Sequence, residues 1–450
     1  MLAEIGVGSI EELFAELPEA VRLSTPLGLP DGLPETEVYE RLRELASQNA
    51  DAESQLCFLG AGMYDHYAPA IVDAITGRSE FLTPYTPYQP EISQGGLQAM
   101  FEFQTAMSEL TGLPISSAGL YEGPSSVASA GYMAIGVSGR SKLVASTGVH
   151  PHSRAALTTY ARGYGAEVSE VPLASGTTDV GAVKGAIDEQ TAAVFIQTPN
   201  FLGAVEDVAA LAEAAHEVGA LLVVACDAIA LGVLRPPGDC GADVALGEGQ
   251  PLGGRLDFGG PSFGFFCATE EHARRMPGRM AGETEDVDGR RGFVLALQTR
   301  EQYIRREKAT HNICTAQALN ALGGVVYLSW LGKQGLVELG RLLLQRTAYA
   351  RERLGALDGV ELIHEAPVVR EFAVELAADV DEVLERCAQN DIAAGYPLAA
   401  EYPEHPNGLL IALTERTGKD EIDRLAEVLG RAVDASRSEA AEPVGAGAGR

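Results

Sequence analysis

From about residue 115 to residue 270, short apolar runs alternate with alanine-rich segments of helical length. This alternation constrains the fold more than any other feature of the chain. The candidate strands are Lys142-Leu-Val-Ala-Ser146, Glu167-Val-Ser-Glu-Val171, Ala193-Val-Phe-Ile-Gln197 and Leu221-Leu-Val-Val-Ala-Cys226. Strands separated by helices are joined by crossovers, which gives an α/β domain with a mostly parallel sheet. Active residues then belong at the carboxyl ends of those strands. Upstream, Leu97–Gly112 has helical periodicity and a terminal glycine. Downstream, a long helical stretch is predicted over roughly 296–356. A small α+β domain follows, with strands at Val360–Ile363, Glu371–Leu376 and Gly408–Leu413 and helices at Val380–Asn390 and Asp420–Ser436. The predicted division is therefore an N-terminal helical arm over 1–56, a large α/β domain over 57–330 that includes an aromatic loop at 57–95, a small α+β domain over 331–436, and a low-complexity, disordered tail over 437–450. Within the arm, Ser9-Ile-Glu-Glu begins as a capping box, and a second helix runs from about Glu35 to Gln48.

Charge narrows the function classes. Acidic residues number 63 against 33 lysines and arginines, for a net charge of −30. Nucleic acids and anionic membranes require cationic patches, so both are excluded as partners. Such a charge repels itself unless salt screens it. An acidic chain with lysine at only 142, 184, 308, 333 and 419 suggests a halophilic, high-salt setting; the alternative is an acidic protein of ordinary cytoplasm. No apolar run reaches membrane-spanning length, and Met1-Leu-Ala-Glu-Ile lacks a basic leader, so a cytoplasmic protein is expected. Cysteines 57, 226, 240, 267, 314 and 387 form no CxxC and read as buried thiols rather than a metal or redox site.

No lysine occurs from Gly185 to Glu307. Inside that span the strand Leu221–Cys226 ends in Asp227, followed by the glycine-rich Gly247-Glu-Gly-Gln-Pro-Leu-Gly-Gly254. In pyridoxal-phosphate (PLP) enzymes of the aspartate-aminotransferase type, a strand-end Asp binds the pyridinium nitrogen, and a lysine roughly 25 residues later forms the imine. Here that lysine position falls near Gln250, whose amide cannot form an imine. Tyr121–Ala130 is a turn feeding a helix N-terminus, the usual phosphate cradle, but Pro124 removes one donor. His150-Pro-His152 either packs beside the cleft or hints at a metal, with no third ligand placed by spacing. Asp227 is either a remnant of cofactor binding or a buried capping carboxylate. The arginines 290, 291, 300, 305 and 306, with Lys308, pair within the chain to Glu283, Glu285, Glu301 and Glu307, or face a subunit interface.

The stretches Phe58–Tyr67 and Arg78–Gly95 are dense in tyrosine and proline. Proline fixes the backbone, and tyrosine offers a rigid ring with a polar tip, which suits a loop that lines a pocket. An ordinary surface loop is the alternative.

Six segments carry a family resemblance: Tyr85-Thr-Pro-Tyr-Gln-Pro-Glu-Ile-Ser-Gln-Gly95, Gly247-Glu-Gly-Gln-Pro-Leu-Gly253, Met276-Pro-Gly-Arg279, Gly289-Arg-Arg-Gly-Phe-Val-Leu295, Gln298-Thr-Arg-Glu-Gln302 and Ile304–Cys314. From the first helix to about residue 433 the chain resembles subunit 1 of glycine dehydrogenase (decarboxylating), the N-terminal half of the glycine cleavage system P-protein. The resemblance implies a PLP-dependent transferase fold of type I, aspartate-aminotransferase-like, with a small α+β C-terminal domain. It implies a heterotetramer in which subunit 2 bears the PLP-lysine, and no cofactor bound covalently by this chain. It further implies glycine decarboxylation by the complex (EC 1.4.4.2), with the aminomethyl group passed to the lipoyl arm of H-protein. The candidate contacts are Tyr85 and Tyr88 as wall and hydrogen-bond donors, and Gln89, Glu91 and Ser93 as polar contacts; no metal is expected. The alternative is a purely structural scaffold for a catalytic partner. An autonomous PLP enzyme is opposed by the lysine gap.

Overall fold

The computed structural model describes residues 1–441 except 24, 26 and 310–316. The chain divides into two compact units, Met1–Asp51 and the remainder from Ala52. In the first, the helices Leu2–Ile5 and Glu35–Ala46 and the turns Glu11–Phe14 and Glu19–Val21 bury no residue. The capping box expected at Ser9 forms only in part: Glu12 N–H donates to Ser9 Oγ (3.3 Å), but the Glu12 carboxylate accepts from Gly8 N–H (3.0 Å), and the turn is entered from Ile10 without a side-chain cap. These contacts close only a single 3-10 turn, because Pro18 follows at once and disfavours helix in the residue before it.

The second unit is built on a seven-stranded sheet. Its strands in chain order are β1 (Ile115–Ser116), β2 (Lys142–Ser146), β3 (Glu167–Val171), β4 (Thr191–Thr198), β5 (Leu221–Cys226), β6 (Val244–Glu248) and β7 (Gly264–Ala268). The spatial order is β3-β2-β4-β5-β6-β7-β1. Strands β2 to β6 run parallel, and β7 is antiparallel to both neighbours. β2, β3 and β5 have the bounds read from sequence; β6 and β7 were hidden by their glycines. Gly247 sits in β6 because a Cβ there would meet the Cys226 carbonyl oxygen at 2.3 Å. The glycine marks close backbone approach within a strand, where composition suggested a loop.

The stretch expected to be helical from 296 onward is not continuous. A hairpin, β8 (Met280–Glu285) with β9 (Arg291–Ala296), runs up to its first residue. Short turns at Gln298–Arg300 and Arg306–Lys308 flank a single helical turn, Gln302–Arg305. Buried Arg300 donates to the carbonyls of Met276, Gly278 (3.0 Å) and Leu297 (3.3 Å), which fixes a bend in place of a helix. The long helix begins at Ala318, ends at Gly355 and is broken at Gly332 (φ 63, ψ 175).

The small domain is a four-stranded antiparallel sheet, β10 (Val360–Leu362), β11 (Glu371–Leu376), β12 (Tyr396–Pro397) and β13 (Gly408–Ala412), in the order β10-β11-β13-β12. The helices Val380–Ala388 and Lys419–Ala441 complete it; the second runs past Ser436 into the segment expected as a tail, and residues 442–450 lie outside the described residues. Leu56–Cys57 pairs in parallel with Ile392–Ala393 and puts Phe58 into the small-domain core. That pairing delivers Gly60–Tyr64 to the junction with the large domain. Among the described residues the cysteines are free thiols: Cys226, Cys267 and Cys387 are buried, Cys57 and Cys240 half-buried, and Cys314 is not described. No described helix is long and apolar enough to cross a membrane.

Candidate functional site

A cavity of about 560 Å³ opens at the carboxyl ends of β4, β5 and β6, where the sheet topology places an active site. Asp227 follows β5. Its Oδ1 accepts from Ile229 N–H (3.0 Å), a local turn contact rather than a helix cap, since the 3-10 turn Ala230–Gly232 starts at Ile229 without a side-chain cap. Its Oδ2 lies 2.6 Å from Nε of Arg370.

Arg370 immediately precedes β11 of the small domain and is buried. Its Cζ sits 3.4 Å over the centre of the Tyr64 ring, a desolvated cation–π contact. Burial opposes its charge, but Asp227, Tyr64 and Glu371 together hold its pKa above the usual guanidinium value. The neighbouring Glu371 carboxylate accepts from Ala61 N–H (2.8 Å) and Tyr64 OH (2.6 Å). Burial pushes the pKa of both Glu371 and Tyr64 up. Gly60 is required here, since a Cβ would stand 2.1 Å from Glu371 Oε1.

Gln250, near which the lysine position was expected, is buried and fully engaged. Its Oε1 accepts from Tyr64 N–H (3.0 Å), and its Nε2 donates to the carbonyls of Tyr64 (2.9 Å) and Gly254 (3.0 Å). An amide serves this site because it donates and accepts at once.

The helix Gly123–Ser138 begins at the N-cap Glu122. Its first-turn donors are taken by carboxylates of the same chain. Ser125 N–H donates to Glu122 Oε1 (2.8 Å) and Gly123 N–H to Glu248 Oε2 (2.9 Å), while Pro124 has none to offer. Glu248 also accepts from Gln250 N–H (3.0 Å) and from the Ser262 hydroxyl. Burial raises its pKa.

His150 donates from Nε2 to the Ala61 carbonyl (2.8 Å) and accepts at Nδ1 from His152 N–H (3.1 Å), the neutral tautomer. Burial lowers its pKa to about 4. The ring packs edge-on against Phe201. No cluster of potential metal ligands occurs among the described residues.

The loop candidates lie elsewhere. Tyr85, Tyr88, Gln89, Glu91 and Ser93 are absent from the cavity wall. Tyr85 is 79% exposed, Gln89 and Glu91 are exposed, and Ser93 is the N-cap of the helix Gln94–Thr111. Tyr88 is held from below: its hydroxyl accepts from Arg279 Nη2 (3.2 Å), and its ring meets Tyr303 edge-on. Arg279 in turn pairs with buried Glu301 (3.4 Å). The basic cluster is partly neutralised within the chain, through Arg291–Glu283 (2.8 Å) and Arg290–Asp288 (4.0 Å), whereas Arg300 bonds carbonyls.

A pyridoxal phosphate needs a partner for its ring nitrogen, N–H donors for its phosphate and an amine for its aldehyde. Asp227 is paired with Arg370, the helix N–H groups with Glu122 and Glu248, and no lysine lines the cavity. The residues present do not fit the group. Sequence reading singled out Asp227 and Gln250 and expected the Phe58–Tyr67 stretch to line a pocket, as Ala61, Met63 and Tyr64 do; it gave no individual role to Glu122, Glu248, Arg370 or Glu371. One signal was available for the last two: adjacent charges inside the apolar run Val368-Val-Arg-Glu-Phe-Ala-Val374.

The glycine cleavage system P-protein family model matches residues 1–429. A protein of Carboxydothermus hydrogenoformans described as probable glycine dehydrogenase (decarboxylating) subunit 1 is 50% identical over 430 residues, covering 96% of each chain. A protein of the same description from Halalkalibacterium halodurans is 46% identical, with the same coverage. A crystal structure of glycine decarboxylase (P-protein) of the glycine cleavage system, in inhibitor-bound form, superposes with a TM-score of 0.90 at 44% identity, over 96% of this chain and 97% of that one. A sphingosine-1-phosphate lyase of Burkholderia pseudomallei (TM-score 0.63, 17% identity) and a NifS-like protein (0.62, 12%) share the fold alone. The matched length, the identity and the superposition agree, and the chain belongs to the glycine cleavage system P-protein family as a member with the type I fold of PLP-dependent enzymes.

Proposed function

We propose that this chain is the subunit of glycine decarboxylase that does not carry PLP, and that with a lysine-bearing subunit 2 it decarboxylates glycine and passes the aminomethyl group to the lipoyl arm of H-protein. The observation that carries this reading is the conjunction of a near full-length match to subunit 1 relatives with Gln250 at the lysine position. PLP, in the partner, supplies the electron sink for loss of CO2. This chain supplies interface and, through Tyr85, Tyr88, Gln89, Glu91 and Ser93, part of the partner's cleft. The exposure of that loop, and the unburied Ile10, Phe14, Leu17, Tyr39 and Leu42 of the first unit, supply apolar surface for a heterotetramer in the cytoplasm. Co-expression with the lysine-bearing subunit tests the reading. The expected result is a stable complex that exchanges bicarbonate with glycine and carries borohydride-trapped pyridoxyl label on the partner only. Label on Lys184 or Lys308 of this chain, or failure to associate at any salt concentration, overturns it.

The acidic surface leads to a second expectation. At a net charge of −30, self-repulsion falls as the Debye length shrinks to about 3 Å near 1 M salt. The melting temperature should climb between low and molar KCl. A flat or declining curve refutes the halophilic reading and leaves the enzyme assignment untouched.

A further inference from the structure

Loss of the lysine alone would leave a vacant cofactor pocket that still bound phosphate and ring. The geometry points to a different state: we propose that the cleft is self-liganded, with Arg370, the Glu122–Glu248 pair and Gln250 standing where the ring nitrogen, the phosphate and the lysine would stand, so that it stays closed to pyridoxal-type phosphates even when an amine is supplied. The inference rests on the cleft's place in the fold and is independent of which subunit the partner's chemistry belongs to.

Three observations carry it. The Arg370 guanidinium is a planar cation stacked on Tyr64 whose Nε lies 2.6 Å from Asp227 Oδ2, so a positive charge already stands beside the carboxylate that a protonated pyridine would seek. A ring can reach Asp227 only by expelling it. The N–H groups of Gly123 and Ser125 already donate to buried or half-buried carboxylates. A phosphate dianion brought to them would meet two like charges in a site of low dielectric, where repulsion is poorly screened. Gln250 bonds both backbone groups of Tyr64, so a longer amine at this position must first break the contact that seats the ring beneath Arg370. Each stand-in also holds another: Gln250 places Tyr64, Tyr64 carries Arg370 and binds Glu371, and Glu248 caps Gln250 N–H. Asp227, Gln250 and Glu248 belong to the large domain, and Arg370 and Glu371 to the small one. The network therefore joins the two across the cleft, where cofactor and substrate do so in an enzyme that binds them.

Pyridoxamine 5′-phosphate is the probe of choice, because it needs no lysine and does not react with surface amines. Titrated calorimetrically into the full wild-type chain, it should show no saturable binding up to millimolar concentration. Gln250→Lys incubated with PLP and reduced with borohydride should give no stoichiometric label at position 250. The variant Arg370→Met/Glu248→Gln, checked for native circular dichroism, should bind pyridoxamine phosphate at least about tenfold more tightly than wild type. One-to-one binding by the wild-type chain overturns the proposal, as does a full label in Gln250→Lys. A folded Arg370→Met/Glu248→Gln variant that binds no better than wild type also overturns it. If that variant does not fold, the wild-type titration and the Gln250→Lys mapping decide the matter by themselves.

Discussion

Arg370→Met should lower the free energy of unfolding by about 3–5 kcal/mol, the cost of removing one partner from a buried ion pair. Methionine fills the stem and keeps a soft contact with the Tyr64 ring, so the loss comes from charge and not from volume. What remains is Asp227, 14% exposed, and half-buried Glu371, each without the neighbouring cation. Glu371, whose carboxyl burial already pushes up, then loses the cation that lowers it and becomes easier to protonate. The destabilisation should accordingly be smaller at pH 5 than at pH 8, since acid neutralises the group left unpaired. Asp227→Asn in the same background should restore part of the stability, because it removes one uncompensated charge and keeps an oxygen for Ile229 N–H. Urea midpoints for the wild type, the two single variants and the double variant form a cycle that isolates the pair. An unfolding free energy for Arg370→Met within about 0.5 kcal/mol of wild type would show that the pair carries no stability.

Tyr85→Phe should reduce kcat/KM for glycine–bicarbonate exchange in the reconstituted complex by roughly tenfold to a hundredfold while leaving assembly intact. A hydroxyl that becomes buried against substrate or cofactor is worth about 1–3 kcal/mol, and each 1.36 kcal/mol is about a factor of ten in rate. Within this chain the Tyr85 hydroxyl has no hydrogen-bond partner among the described residues, and the residue is 79% exposed, so removing the oxygen costs the isolated subunit nothing. Tyr88 differs, because its hydroxyl accepts from Arg279. Tyr88→Phe removes that bond while Arg279 keeps its pairing with Glu301 and the Tyr88 ring, and its effect should be smaller. Unchanged kinetics in Tyr85→Phe would demote the loop to structure. A complex that elutes as separate subunits would make it an interface element.

Much of the framework was legible from local pattern. β2, β3, β5 and β11 are runs of apolar and β-branched residues bounded by turns, and their limits coincide with those observed. Two kinds of element escaped. β6 and β7 carry glycines at Gly247 and Gly264, which composition reads as loop and the structure uses for close backbone contact. The segment after Ala296 was read as helix from its side chains, yet Arg300 ties it to the carbonyls of Met276 and Gly278, a contact with no local signature.

The site divides along the same line. Sequence alone determined that no lysine occurs from Gly185 to Glu307, the stretch after β5 in which an imine-forming lysine is expected near Gln250, because that follows from counting along the chain. It also marked Pro124 as a lost donor. Only the tertiary structure decided what became of the rest. Glu248 reaches the N–H of Gly123, Gln250 reaches Tyr64, and Arg370 reaches Asp227, each across more than a hundred residues of chain. The physical reason is that periodicity records which way a side chain faces, whereas a buried charge is defined by its partner. Two carboxylates on one helix terminus, or a guanidinium laid on a tyrosine ring, exist only once the sheet and the small domain have brought those residues together.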